Sequence, residues 1–231
     1  MSDKRFSIVL IDADETIFDF YLSEKTAIMN TCEEFGIQAD ESDVSVYSRI
    51  NDILWKELER GLITREELRE ERFRRWFDYL SVKADVTNFD AHYAENLSKC
   101  GFLIDGALEF LEELSLLCDV YIVTNGLART QRGRMNSSPA ASYIKKMYVS
   151  EEIGYTKPDK RYFEYIFDDI GIYDISQFII LGDSLTSDMQ GGRNAGIKTC
   201  LYKRHIKDAS PELCDFAVSD YSEFISLVKG E

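Results

Sequence analysis

Four short polar blocks carry residue types that could do chemistry. Asp12-Ala13-Asp14-Glu15-Thr16 offers carboxylates and a hydroxyl, Thr124-Asn125-Gly126 small polar groups, and Gly182-Asp183-Ser184-Leu185-Thr186-Ser187-Asp188 two further carboxylates. Tyr155-Thr156-Lys157-Pro158-Asp159 adds a lysine on a loop stiffened by proline ahead of a helix-length segment. Each block alone also has a bland reading: an acidic turn capping the next segment, a simple turn, a surface lysine. Together they gather Asp12, Asp14, Asp183 and Asp188 around one natural cation, Lys157.

Charge narrows the partners. With 27 Lys+Arg against 42 Asp+Glu, the formal net charge is −15, which disfavours nucleic acid polymers and anionic membrane surfaces. A small phosphorylated metabolite is compatible with that field only where a metal or a few placed basic side chains offset it locally. The five cysteines, at 32, 100, 118, 200 and 214, form no C-x-x-C pair and have no histidine cluster nearby, so neither a disulfide framework nor a zinc site is expected. Cys118 and Cys200 fall in apolar segments and are expected to be small buried hydrophobes. The apolar stretch before Asp12 is too short for a signal-peptide core, and no run approaches the roughly 18 apolar residues of a membrane span. The expected location is the reducing cytoplasm.

The blocks must be held by elements, and the hydrophobic pattern says which. Phe6–Ile11, Val120–Val123, Phe178–Leu181 and Lys198–Tyr202 are β-branched-rich and do not alternate, as strands buried on both faces of a parallel sheet do. Met147–Val149 and Phe216–Val218 are weaker candidates. From about residue 105, helix-length segments at Asp105–Cys118, Lys160–Ile170 and Met189–Ala195 alternate with the strands, which predicts βαβ units. Over 20–101 the strand-like runs vanish and helical ones replace them at Ser23–Phe35, Ser42–Arg60, Arg65–Leu80 and Asp90–Cys100, the third opening with a capping box, Thr64-Arg65-Glu66-Glu67. Gly61 and Ser81–Asn88 punctuate that series as turns. Three of the four clear strands then end in polar blocks at one sheet edge, the carboxyl edge, where open α/β sheets bind ligands.

In this order, the blocks resemble the four motifs of the haloacid dehalogenase superfamily. Asp12-x-Asp14-x-Thr16 matches the first motif, Thr124 the second, Lys157 the third, and Gly182-Asp183 with Asp188 the fourth. Each is a modest signal; the ordered set over nearly the whole chain is a specific one. Within the family, Asp12-Ala-Asp-Glu-Thr-Ile-Phe, Thr124-Asn-Gly-Leu and Gly182-Asp-Ser-Leu-Thr-Ser-Asp look most like bacterial pyrimidine 5′-nucleotidases. The resemblance implies an α/β fold: a three-layer Rossmann-like parallel-sheet core over 1–19 and 102–231, with an inserted helical (C1-type) cap over 20–101.

It also implies a magnesium-dependent phosphoric monoester hydrolase. A carboxylate attacking a phosphate monoester meets charge repulsion, so a hard dication with oxygen ligands must bridge the two, and Mg²⁺ fits. Asp12 is the expected nucleophile. Asp12, the main-chain carbonyl of Asp14, and Asp183 are the expected metal ligands, with Asp188 holding a metal-bound water or orienting them. Asp14 is the expected proton carrier. Lys157 and Thr124 are expected to hold the phosphoryl oxygens, with Ala13, Asp14 and Asn125 offering backbone N–H groups and Thr16 and Gly126 completing the cradle. Asp14 separates phosphate transfer from dehalogenation. A sugar phosphomutase keeps both aspartates and is the enzymatic alternative; a phosphometabolite-binding protein without turnover is the non-enzymatic one, for which Asp14 has no purpose.

The remaining candidates are weaker. Tyr47, Trp55, Arg69, Arg72, Arg75 and Trp76 could read a leaving group, but burial between helices is the expectation for the two tryptophans, and a solvated helix face that for Glu70–Arg75. His92 and His205 lack a catalytic triad, and Ser184 lacks the G-x-S-x-G elbow. Gly191–Gly196 is expected to serve close helix packing and a tight turn. Glu15 adds negative charge where many relatives carry glycine.

Overall fold

The protein is described here by a computed structural model, over residues 5–205 and 213–231. Its frame is a six-stranded, all-parallel sheet in the order β3-β2-β1-β4-β5-β6, with β1 Ile8–Asp12, β2 Asp119–Thr124, β3 Lys146–Val149, β4 Phe178–Gly182, β5 Lys198–Tyr202 and β6 Phe216–Val218. All of β1 and β4 is buried, as continuous apolar runs in a sheet covered on both faces must be. Helices α1 (Phe20–Phe35), α2 (Glu41–Glu59), α3 (Arg65–Leu80) and α4 (Val86–Ser98) follow β1, and α5 (Ala107–Leu117) leads into β2. Then come α6 (Ala128–Asn136), α7 (Ser150–Ile153), α8 (Lys160–Ile170), α9 (Gln190–Ala195) and α10 (Tyr221–Lys229).

Two helical layers flank the sheet. Ile8, Leu10, Val123, Phe178 and Ile180 pack on Tyr162, Phe163 and Ile166 of α8. Alternation turns Val9 and Ile11 to the opposite face, the side expected to take α5 and α10. Those two helices pack on each other, with Phe110 stacked on Tyr221 at 4.4 Å and Tyr221 on Tyr202 at 5.1 Å. Gly191–Gly196 spans α9 and its cap, and α9 packs on α8 and β5.

Contacts divide the chain into two units: residues 1–19, 102–131 and 138–231, containing the sheet, and residues 20–101 with 132–137, which are helical. The helical unit has its own aromatic core. Phe73 lies 5.3 Å from Tyr47, 5.0 Å from Phe89 and 5.2 Å from Tyr93, and Trp76 is fully buried beside them. The capping box at Thr64 and Glu67 forms as expected, and a second, Asp40 with Asp43, opens α2. Two boundaries differ from expectation. Helix α4 begins at Val86, where the Asp85 side chain accepts from Asn88 N–H, so the last three residues of the anticipated turn are already helix. Residues 132–137 join the helical unit, where Arg134 is buried and its Nε donates to the Cys100 carbonyl at 3.3 Å. No helix among the described residues is long and apolar enough to cross a membrane.

Candidate active site

Strand order reverses around β1, whose neighbours are β2 on one side and β4 on the other, and such switch points open a crevice at the strands' carboxyl ends. Asp12 ends β1, Thr124 ends β2, and Gly182 ends β4 immediately before Asp183. Parallel register aligns them: Asp12 sits opposite Val123 and Ile11 opposite Leu181. After β4 the chain makes a π-turn over Leu185–Met189, in which Asp188 N–H bonds the Ser184 carbonyl and the Asp188 carboxylate accepts from Ser184 N–H, both at 3.1 Å. That turn carries a fully buried Asp188 back to the strand end.

Lys157 is the hub. Its ammonium, 1% exposed, donates to Asp12 Oδ1 at 2.5 Å, Asp188 Oδ1 at 2.7 Å and the Val123 carbonyl at 2.9 Å. Its backbone is locked reciprocally: Lys157 N–H donates to Asn125 Oδ1 and Asn125 Nδ2 donates to the Lys157 carbonyl, each at 2.9 Å. Tyr162, which sequence reasoning missed, fixes the end of β2 by accepting from Thr124 N–H at 3.1 Å while donating to the Tyr148 carbonyl. Nothing in its helical context marked that hydroxyl as part of the site.

The electrostatics call for more positive charge than Lys157 supplies. Oxygens of Asp12, Asp183 and Asp188 lie within 4.8 Å of one another. Burial pushes the Asp12 carboxyl well up, Asp188, Asp183 and Asp14 add to the rise, and Lys157 opposes it. Burial, then Asp188, pushes Asp183 up to about 7. Lys157 stays charged because Asp12 and Asp188 outweigh the cost of burying it. A set of hard oxygen donors that burial and neighbouring negative charge drive toward protonation fits a divalent cation, which would oppose both rises.

Asp14 takes a hydrogen bond from Gln131 Nε2 at 2.6 Å, a second contact not anticipated. Glu15 holds a left-handed backbone, φ 55°, the conformation that favours glycine. Its carboxylate accepts from Arg204 at 2.9 Å and pairs with His205 at 2.6 Å, and Arg204 also grips Asp19 at 2.8 Å. Three residues of the expected cradle turn side-chain or N–H groups inward. Thr16 is fully buried with Oγ1 unpartnered, Gly126 N–H donates to Thr124 Oγ1 at 3.0 Å, and the Asn125 side chain is spent on Lys157. Ala13 is buried, and the half-buried Asp183 keeps part of its surface open.

One expectation outside the site is corrected. Glu70–Arg75 is not wholly a solvated face: Arg72 is 3% exposed and donates to Asp90 at 2.6 Å, while Arg69 donates to the same carboxylate. Arg69 and Arg75 do face solvent, and Trp55 is half-buried.

The model of the haloacid dehalogenase-like hydrolases matches residues 9–202. The chain belongs to that family. Among its relatives, the HAD-hydrolase YfnB of Bacillus subtilis is 36% identical over 91% of this chain and 89% of its own. A crystal structure of YfnB bound to magnesium superposes with a TM-score of 0.91, covering 97% of this chain and 99% of that one. The pyrimidine 5′-nucleotidases PynA of Streptococcus pneumoniae and YjjG of Escherichia coli are 33% and 28% identical, over 96% and 87% of this chain and 95% and 87% of theirs. Membership makes the protein a hydrolase of this fold, with relatives that act on nucleotides.

Proposed function

We propose that the protein is a Mg²⁺-dependent phosphatase that hydrolyses a small phosphomonoester, a pyrimidine nucleoside 5′-monophosphate, through an aspartyl-phosphate on Asp12. The observation that carries the reading is the buried cluster in which Lys157 bonds both Asp12 and Asp188 while carboxylate oxygens of Asp12, Asp183 and Asp188 lie within 4.8 Å of one another. Asp12, Asp183 and Asp188, with the Asp14 carbonyl, would hold the metal. When bound, Mg²⁺ neutralises the repulsion between carboxylate and phosphate.

The chain's own groups carry the rest. An Asp12 oxygen forms a bond to phosphorus as the bond from phosphorus to the leaving oxygen breaks, and Asp14 gives its proton to the departing alkoxide. Asp14 then takes a proton from water as that water attacks phosphorus, which returns Asp12 as a carboxylate and releases inorganic phosphate. Lys157, held by Asn125 through its backbone, keeps a fixed positive charge beside Asp12, where attack places the phosphoryl group. The helices over 20–101 take the cap role that the family resemblance implies. The names of PynA and YjjG support the choice of pyrimidine nucleotides.

The test is phosphate release from pyrimidine and purine nucleoside 5′-monophosphates and sugar phosphates, with Mg²⁺ and with chelator. Release that is fastest with pyrimidine nucleotides and lost on chelation is expected. A sugar phosphate isomerised without free phosphate would indicate a mutase, and no turnover of any compound a binding protein; either overturns the proposal.

A further inference from the structure

We propose that Gln131 is a positioning residue for the proton carrier Asp14, an inference that rests on the acid–base reading above. Gln131 opens the second turn of α6, is 2% exposed, and sends Nε2 to Asp14 Oδ2 at 2.6 Å. Its own Oε1 is buried without a partner. A buried amide that leaves its acceptor unsatisfied in order to aim its donor at a carboxylate is poorly explained by folding, because the orphaned oxygen is a cost. Directing the carboxyl of Asp14 explains it. The amide is neutral, so it can aim Asp14 without the fixed charge by which a lysine would oppose proton donation.

The backbone makes room for this contact. A Cβ on Gly126 would lie 2.3 Å from Gln131 Nε2 and 2.8 Å from its Cγ, so the residue after Thr124-Asn125 must be glycine for the amide to reach Asp14. Two loops of the sheet edge therefore meet on one side chain: the turn after β1 supplies Asp14, and the turn after β2 supplies the space. Gln131 touches no reacting atom in this scheme; it acts through Asp14.

A positioning role has a signature that loss of fold does not. Protonating the leaving oxygen matters for an alkyl leaving group and little for a good one such as 4-nitrophenolate, so a misdirected Asp14 should show leaving-group dependence. Read as the single-turnover rate of leaving-group release, which precedes the hydrolysis step common to all substrates, Gln131→Leu is expected to be slower on a nucleoside 5′-monophosphate by roughly tenfold or more, within the range general acid catalysis supplies, with a much smaller loss on 4-nitrophenyl phosphate. Gly126→Ala, which displaces the amide without removing it, should reproduce the pattern more weakly. Asp14→Asn is the reference and should show the same selectivity at larger size. If Asp14→Asn is selective and Gln131→Leu loses both substrates equally or neither, the positioning role is overturned. If Asp14→Asn itself is unselective, the acid–base reading falls and the proposal falls with it, by a result that names the cause.

Discussion

The sheet edge and the helical unit both bury charge, and they balance it differently. In the helical unit the carboxylate of Asp90 is matched by Arg69 and Arg72, and that of Glu24 by Ser48 and Asn51, all on neighbouring helices. At the sheet edge Asp12 and Asp188 share one ammonium, Lys157, oxygens of Asp12, Asp183 and Asp188 lie within 4.8 Å of one another, and Arg204 and His205 are committed to Glu15 next door. Buried ions are costly unless paired, so a unit that serves architecture pairs them. An excess of buried negative charge is a cost that a bound divalent cation would offset. The contrast separates residues that build from residues that react, although both are polar and inaccessible.

The largest effect should come from Lys157→Met, which leaves Asp12 and Asp188 buried without their cation. Turnover should fall on the order of 10³-fold, and the metal-free protein should lose roughly 3–5 kcal/mol in denaturant unfolding. Wild-type stability in that variant would mean that the edge is balanced by something other than Lys157. Arg72→Met strips one partner from Asp90 while Arg69 remains, so unfolding should cost about 3 kcal/mol, with kcat on 4-nitrophenyl phosphate kept. A selective loss of turnover there, at unchanged stability, would move Arg72 from the building class to the reacting one.

Glu24, whose effect vanishes at low pH, tests the balance most finely. Burial pushes its carboxyl up to about 7, against the hydrogen bonds of Ser48 and Asn51 and the charge of Arg72. Because this folded value lies above the ordinary 4.5, the stabilising contribution is complete below 4.5 and is lost as pH rises through 7. Glu24→Gln should therefore match the wild type near pH 4 and exceed it by up to about 3 kcal/mol at pH 8. A parallel pair of stability curves from pH 4 to 8 would contradict the assignment.

The frame of this balance is legible in the sequence because the edge of a parallel sheet is written locally. Apolar runs end in polar blocks, and β1, β2, β4 and β5 sit within two residues of the expected spans. Helix α6 was not legible: Arg129, Thr130, Gln131, Arg132, Gly133 and Arg134 offer no apolar repeat and carry an interior glycine. With it went Gln131, whose role exists only through a partner 117 positions away. Tyr162 was hidden for the same reason, since its hydroxyl finds Thr124 only after the strands pair. Helix α10 is legible by the same rule, since Tyr221, Phe224, Ile225 and Val228 carry the helical spacing behind an Asp220 cap. Arg72 was misplaced because a run of charges on α3 reads as solvated until α4 brings Asp90 to it.

The most direct measurement of the central claim is covalent trapping. Protein mixed with Mg²⁺ and a pyrimidine nucleotide labelled in its phosphate should, on acid quench within one turnover, carry label on the peptide that contains Asp12. The label should vanish in Asp12→Asn together with phosphate release. Phosphate release from Asp12→Asn at the wild-type rate, or label on a peptide without Asp12, would contradict the nucleophile and with it the account of the sheet edge.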